Sequence, residues 1–295
     1  MAKRAQKPPR HGVRRRCGTM AAHMRLLEAH ASFRGRQQRL ELATARRRSL
    51  AAAVPTLVTV DVVVNVVYRT AVQNVSDAQV KSQIDVLNRD FAATNADKGK
   101  APPVWKGLVT DSGVRFKLAK VIRKRTTKAS FDTDDSVKRA SSGGLAPFSP
   151  ATHLNLWVCA LSGGVLGYAQ FPGGPASTDG VVIDYRAVGT RGSAQAPFNL
   201  GRTATHEVGH YFNLRHIWGD TEDCSGSDFV ADTPNAAGPN YGTPRFPSIS
   251  CGNGPNGDMF MNYMDYVDDA SMFLFTAQQV VRMRAALETA RPDLR

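Results

Sequence analysis

THEVGHYFNLRH, residues 205–216, brings three histidines and a glutamate into one short run. An α-helix turns about 100° per residue, so His206 and His210, four apart, leave the same face one turn apart and can share one ion. Glu207 follows the first histidine, where its carboxylate reaches a water on the metal without ligating the metal itself, the HExxH arrangement with glutamate as general base. His216 lies ten residues past His206, and a continuous helix would carry it roughly 80° off that face. The helix must therefore stop. Asn213 is the place for it to stop, because asparagine is second to glycine in tolerating the left-handed conformation that ends helices. His216 then returns as a third ligand, and three imidazoles that leave one position open are the catalytic geometry of zinc. A helix that merely happens to be rich in histidine leaves this spacing unexplained.

The chain has 295 residues, 42% of them hydrophobic, with a formal net charge of +13. That is enough to bury a substantial core in one or two domains. The charge is segregated: residues 1–48 hold 14 Lys and Arg against Glu28 and Glu41, and the rest is close to neutral. A nucleic-acid-binding catalytic domain is expected to keep a basic face, so no nucleic-acid partner is expected. The basic run reads instead as a leader or pro-segment, residues 1–48, ahead of a catalytic domain at 49–295 divided after the zinc helix into 49–213 and 214–295. The first twenty residues, MAKRAQKPPRHGVRRRCGTM, lack the apolar stretch of about 7 to 15 residues that marks a conventional signal peptide. PTLVTVDVVVNVVY, Pro55 to Tyr68, is apolar, but Asp61 and Asn65 interrupt it and valine dominates, so it reads as a β-strand and no membrane span is expected. The oligomeric state stays open.

Of the four cysteines, Cys224 and Cys251 flank a loop rich in Gly, Pro, Asn and Asp. A bridge between them would close about 27 residues and remove roughly 3 to 4 kcal/mol of unfolded-state entropy, which fits an extracellular enzyme. Cys159, within LNLWVCAL, reads as a buried strand thiol. SDAQVKSQIDVLNRDFAATN, residues 76–95, has Ser76 as an N-cap and apolar residues at 80, 84, 87 and 91, a helical stripe. Strands are expected at 113–122, 153–161, 164–171 and 179–185, and a closing helix at 276–290. Strands and a helix first, the zinc helix next, then irregular chain and a last helix, give an α+β enzyme split by a cleft.

With these elements placed, the chain resembles the metzincin metallopeptidases, whose HExxHxxGxxH signature is matched by His206, Glu207, His210 and His216. Asn213 stands where that signature has glycine, and the turn is expected to survive the exchange. NYMDY, Asn262 to Tyr266, is similar to the metzincin Met-turn, with Met264 as the apolar floor beneath the histidines. HEVGHYFNLRHIWGD, DTPN, NYMDYVDDASMFLFTAQQVVRM, LGYAQFP and DGVVIDY are similar to the pappalysins, the cytophagalysin-type peptidases, over residues 54–290. The resemblance implies a mixed twisted sheet with an active-site helix and a backing helix, then an irregular C-terminal subdomain. It also implies a zinc-dependent endopeptidase acting on extracellular protein or peptide substrates, and a Cys224–Cys251 disulfide.

Further roles follow from the same likeness. Tyr266 is placed to donate a hydrogen bond to the tetrahedral oxyanion. Gly167, Tyr168 and Ala169 of LGYAQFP are candidates for an edge strand that pairs with an extended substrate. Asp228 and Thr233 could supply oxygens to a calcium ion. Relatives that prefer Arg or Lys just after the cut bond direct attention to Asp268 and Asp269 as pocket acids, with Ala270 an alternative for the pocket floor. Cys17, in RRRCGTM, could ligate the zinc in a latent proenzyme: a thiolate is a strong ligand, the arginines around it would favour the charged form, and Gly18 permits close approach. ARRRS, Ala45 to Ser49, is then a site the enzyme could cut itself. The main rival is a non-catalytic zinc-containing binding module, but such a module need not keep the base, and Glu207 is one of only three glutamates after residue 48.

Overall fold

The computed structural model describes residues 14–49 and 56–294. Most of the stretch scanned for a signal peptide, and Pro55 of the first strand region, lie outside the described residues. In chain order the elements are α1 (Thr19–Ala29), α2 (Ala31–Ser49), β1 (Val58–Tyr68), α3 (Asp77–Phe91), β2 (Val114–Arg125), β3 (Leu154–Cys159), β4 (Gly167–Ala169), β5 (Val181–Asp184), α4 (Arg202–Tyr211), β6 (Tyr241–Gly242), β7 (Tyr266–Val267) and α5 (Ala277–Thr289).

A five-stranded sheet in the order β2-β1-β3-β5-β4 carries the fold. β1, β2, β3 and β5 run parallel, and β4 closes one edge antiparallel to β5. The valine run of β1 is buried nearly throughout, as expected of a parallel strand covered on both faces. β2 runs three residues past its expected end at 122, because its register with β1 continues to the pair Tyr68 and Arg125. The expected strand at 164–171 contracts to β4: Gly163 and Gly164 take positive φ at its start, and Pro172 follows its end.

α3 starts at the expected Ser76, whose side chain accepts from the Gln79 amide. It ends at Phe91 rather than 95, since Ala93 turns to φ 50 and the Thr94 amide reaches back to the Arg89 carbonyl. α5 starts at a reciprocal cap between Thr276 and Gln279. One core runs from the sheet through α3 and α4 to Met264 and α5, so the regions before and after α4 share their apolar packing. Cys224 and Cys251 are bonded, and Cys159 is buried and free. The described part of the basic N-terminal run packs on the molecule as α1 and α2. No helix among the described residues is long and apolar enough to cross a membrane.

Candidate active site

All ten residues of α4 are buried. The helix ends as its sequence demands: Asn213 sits at φ 73, and the amides of Asn213 and Leu214 donate to the carbonyls of His210 and Gly209, each at 2.9 Å. That turn brings His216 back. The Nε2 atoms of His206 and His216 each lie 3.1 Å from Nε2 of His210.

The outer ring nitrogens fix what those inner atoms are. Nδ1 of His206 faces the Tyr263 carbonyl and Nδ1 of His210 the Leu214 carbonyl, both at 2.7 Å, while Nδ1 of His216 faces the Asp220 carboxylate. Carbonyls and carboxylates only accept, so Nδ1 carries the proton and each Nε2 presents a lone pair. Burial first, then the neighbouring imidazoles, hold His206 well below the ordinary histidine range, and His210 is lowered in the same way. Three imidazole nitrogens converging on one point are a cation's donor set, and the set fits zinc.

Met264 is fully buried. A Cβ added to Gly209 of α4 would stand 2.5 Å from its sulfur, so the methionine lies directly against the helix that carries His206 and His210. The Tyr266 ring centroid is 4.9 Å from that of His216 and 5.8 Å from that of His206. Burial, then Cys17 and Glu207, push its phenol well above the usual range, which keeps it a donor. Trp218, absent from the sequence-based candidates, stacks on His216 at 4.4 Å and meets Tyr266 edge-on. Its place two residues past His216 was the available signal.

The N-terminal segment enters this site. Cys17 Sγ is 3.6 Å from His210 Nε2, and one ligand atom from each of Cys17, His206, His210 and His216 falls within 4.8 Å of all the others. Thr19 Oγ1 donates to Glu207 Oε2 at 2.7 Å and accepts from the Ala169 amide at 2.8 Å. Arg15 donates to Asp269 Oδ1 at 2.6 Å, Thr203 Oγ1 at 3.0 Å and the Val267 carbonyl at 3.1 Å. The other Asp269 oxygen accepts from the Leu200 amide at 2.8 Å. Asp268 is half-buried and makes no bond to Arg15, and Ala270 is exposed, so of the three expected positions Asp269 is the one that meets a cation.

One expectation fails. The arginines flanking Cys17 do not face its thiol: Arg14 lies over the Tyr241 ring, Arg15 is on Asp269, and Arg16 donates to the Gly163 carbonyl. Burial and Glu207 instead push the thiol well above its ordinary range. Burial also raises Glu207 to about 7, against the pull of Thr19, Cys17 and Arg15.

β4 is the sheet edge facing this segment. Gly18 N donates to the Gly167 carbonyl at 2.8 Å, and Leu166 N to the Arg16 carbonyl at 2.9 Å. Gly167 must be glycine, since a Cβ would stand 2.8 Å from Glu207 Cγ. The Tyr168 ring turns to the other face and is buried with Trp157 and Val182, so this residue has only backbone to offer a peptide. Away from the cleft, Thr233 Oγ1 donates to Asp228 Oδ2 at 2.7 Å, and burial raises the Asp228 carboxyl to about 7.

Comparison with known proteins agrees with this geometry. The family model described as Pregnancy-associated plasma protein-A matches residues 150–288. An extracellular metalloprotease of Pyricularia oryzae is 33% identical over 279 residues, 91% of this chain and 87% of its own. One from Verticillium alfalfae is 36% identical over 226 residues, covering 73% and 70%. Among solved structures, a promirolysin mutant of Tannerella forsythia is 41% identical with TM-score 0.86, covering 95% of this chain and 97% of its own. Mature Tannerella forsythia mirolysin in complex with a cleaved peptide is 45% identical with TM-score 0.80, covering 81% and 96%.

Proposed function

Because the chain belongs to the pappalysin family of zinc metalloendopeptidases, we propose that it is an exported, latent peptidase that cuts proteins before Arg or Lys, with Glu207 as general base. Zinc held by His206, His210 and His216 would polarise the substrate carbonyl and acidify the attacking water. Glu207 takes the proton of that water and passes it to the leaving amine. Tyr266 donates to the oxyanion. The backbone of β4 from Gly167 to Ala169 pairs with the substrate.

The observation that carries this reading is what residues 15–19 touch: the pocket acid, the three histidines, the base and the edge strand, in that order. A substrate whose residue after the cut bond fills the Asp269 pocket would send its N-terminal side past Ala169, antiparallel to β4. The N-terminal segment runs the other way, Cys17 pairing with Gly167 in parallel, so it occupies the same groups with its peptide bonds reversed. Residues 1–48 are accordingly read as a pro-segment whose removal near ARRRS, by the enzyme itself or another, activates the chain. The proform of mirolysin matches a larger share of this chain than the mature form does, in support. Calcium at Asp228 and Thr233 belongs to the same reading, since a cation would offset the burial that keeps this carboxyl from ionising.

The test is digestion of a diverse peptide mixture. Wild type should release products with Arg or Lys at their new N-termini, and Glu207→Ala should keep its zinc while losing nearly all cleavage. Equal rates for the two would sink the mechanism, and products without basic enrichment would remove the pocket assignment.

A further inference from the structure

Phe171 follows β4 by two residues and is 1% exposed. The apolar cluster around it consists of Leu26 and Phe33, with Met20 and Leu27 at its margin, all from α1 and α2. The His23 ring of α1 meets it edge-on at 4.9 Å. Its other neighbours come from the histidine site and the turn after it: the His210 ring lies 5.5 Å away, and the Arg215 guanidinium stands 5.8 Å from its centroid. Phe171 is thus a wall of the cleft beside a metal ligand, and its apolar cover is supplied by the segment that also blocks the cleft.

Its place along the cleft follows from the contacts of that segment. Cys17 stands level with Gly167, Arg15 reaches Asp269 in one direction and Thr19 reaches Ala169 in the other. A peptide with its residue after the cut bond in the Asp269 pocket therefore passes Ala169 and then Phe171 with the residues before that bond. Counted at about 3.3 Å per residue on both chains from Gly167, which stands level with Cys17, Phe171 comes level with the third or fourth of them.

We propose that Phe171 is the floor of an apolar subsite that selects a large side chain, aromatic or long aliphatic, three or four residues before the cut bond. The direction rests on the reading of Asp269 as the pocket for the residue after it. Once α1 and α2 leave, the ring is bared to water. A substrate side chain that covers it recovers the apolar burial the pro-segment provided, a gain of about tenfold in kcat/KM. The gain should appear mainly in KM, because the ring is remote from the bond being cut and binds ground and transition state alike.

The experiment uses the active enzyme obtained from the full-length chain and pairs of fluorogenic peptides. Each has Arg after the cut bond, and either Phe or Gly at the third and fourth positions before it. Wild type should prefer the Phe peptides about tenfold; Phe171→Ala should bring that ratio near one, and Phe171→Leu should leave it intermediate. The ratio is internal to each preparation, so a poorly folded fraction does not alter it. A wild-type ratio near one, or a ratio that neither substitution changes, overturns the proposal. A third peptide set with Gly in place of Arg separates the two assignments: if Arg proves irrelevant while the Phe171-dependent ratio persists, the Asp269 reading falls and the subsite stands.

Discussion

Asn213 illustrates what a single residue costs when it takes glycine's place. Its φ of 73 is tolerable for asparagine, but its side chain is fully buried and neither Oδ1 nor Nδ2 finds a protein partner. Asn213→Gly removes an unsatisfied buried amide and the left-handed strain, against a small void, for a net gain of about 1 kcal/mol. A thermal melt should show a rise of about 2 to 4 °C with zinc content unchanged; a fall would mean that the side chain's packing outweighs both terms. Thr19 poses the complementary case. Its hydroxyl holds the Glu207 carboxylate and the Ala169 amide at once, so Thr19→Val should raise the initial rate of the uncut chain even with Cys17 intact, and Cys17→Ala alone should leave part of the proposed latency in place. Full release by Cys17→Ala, with no added effect of Thr19→Val, would leave the thiol as the sole lock. The convergence of His206, His210 and His216 was legible in sequence because their geometry is local, within three turns of chain. Thr19 was not, since its partner lies 188 residues away.

Among the elements, β1, α3 and α5 announce themselves by a valine run or an apolar stripe with caps. α2 does not: ASFRGRQQRLELATARRRS shows charge before it shows periodicity, and it forms because Ala, Leu, Arg, Gln and Glu all favour helix. What docks it is a buried arginine on the far side. Arg282 of α5 is 1% exposed; its Nε donates to the Asn213 carbonyl at 2.7 Å and its other nitrogens hold the Glu41 carboxylate of α2. One guanidinium thus joins α2, the C-terminal helix and the turn that delivers His216. Glu41→Ala strips that cation of its carboxylate and should loosen α2 by about 1.5 to 3 kcal/mol, the range for a hydrogen bond to a charged group. Hydrogen exchange in α2 should quicken about tenfold or more, while the melting of the active enzyme freed of residues 1–48 stays unchanged. Unaltered protection in α2 would show that the apolar contacts of Phe33 and Leu40 suffice to hold it.

Over the whole molecule, the proposed latency amounts to a binding equilibrium between the N-terminal helices and the cleft, and His23 would make it depend on pH. The imidazole is 5% exposed between Phe33 and Phe171, with Nδ1 unpartnered. Burial first and Arg215 second lower it to about 4, against the opposing charge of Asp220. Released from the cleft it returns to about 6.5. Between those values the released segment binds more protons than the docked one, so docking is at full strength above about 6.5 and weakens as pH falls toward 4. The span is on the order of 3 kcal/mol. A distance of this kind, from residue 23 to residues 171 and 215, could not be read from local pattern, which shows only a histidine in a basic leader. Hydrogen exchange of α1 in the full-length chain, corrected for intrinsic rates, should show protection falling from pH 7.5 to pH 5. In His23→Leu the fall should be much shallower, because no proton can enter that position. If wild type and His23→Leu lose protection in parallel, the acid sensitivity of the docked state lies in other groups.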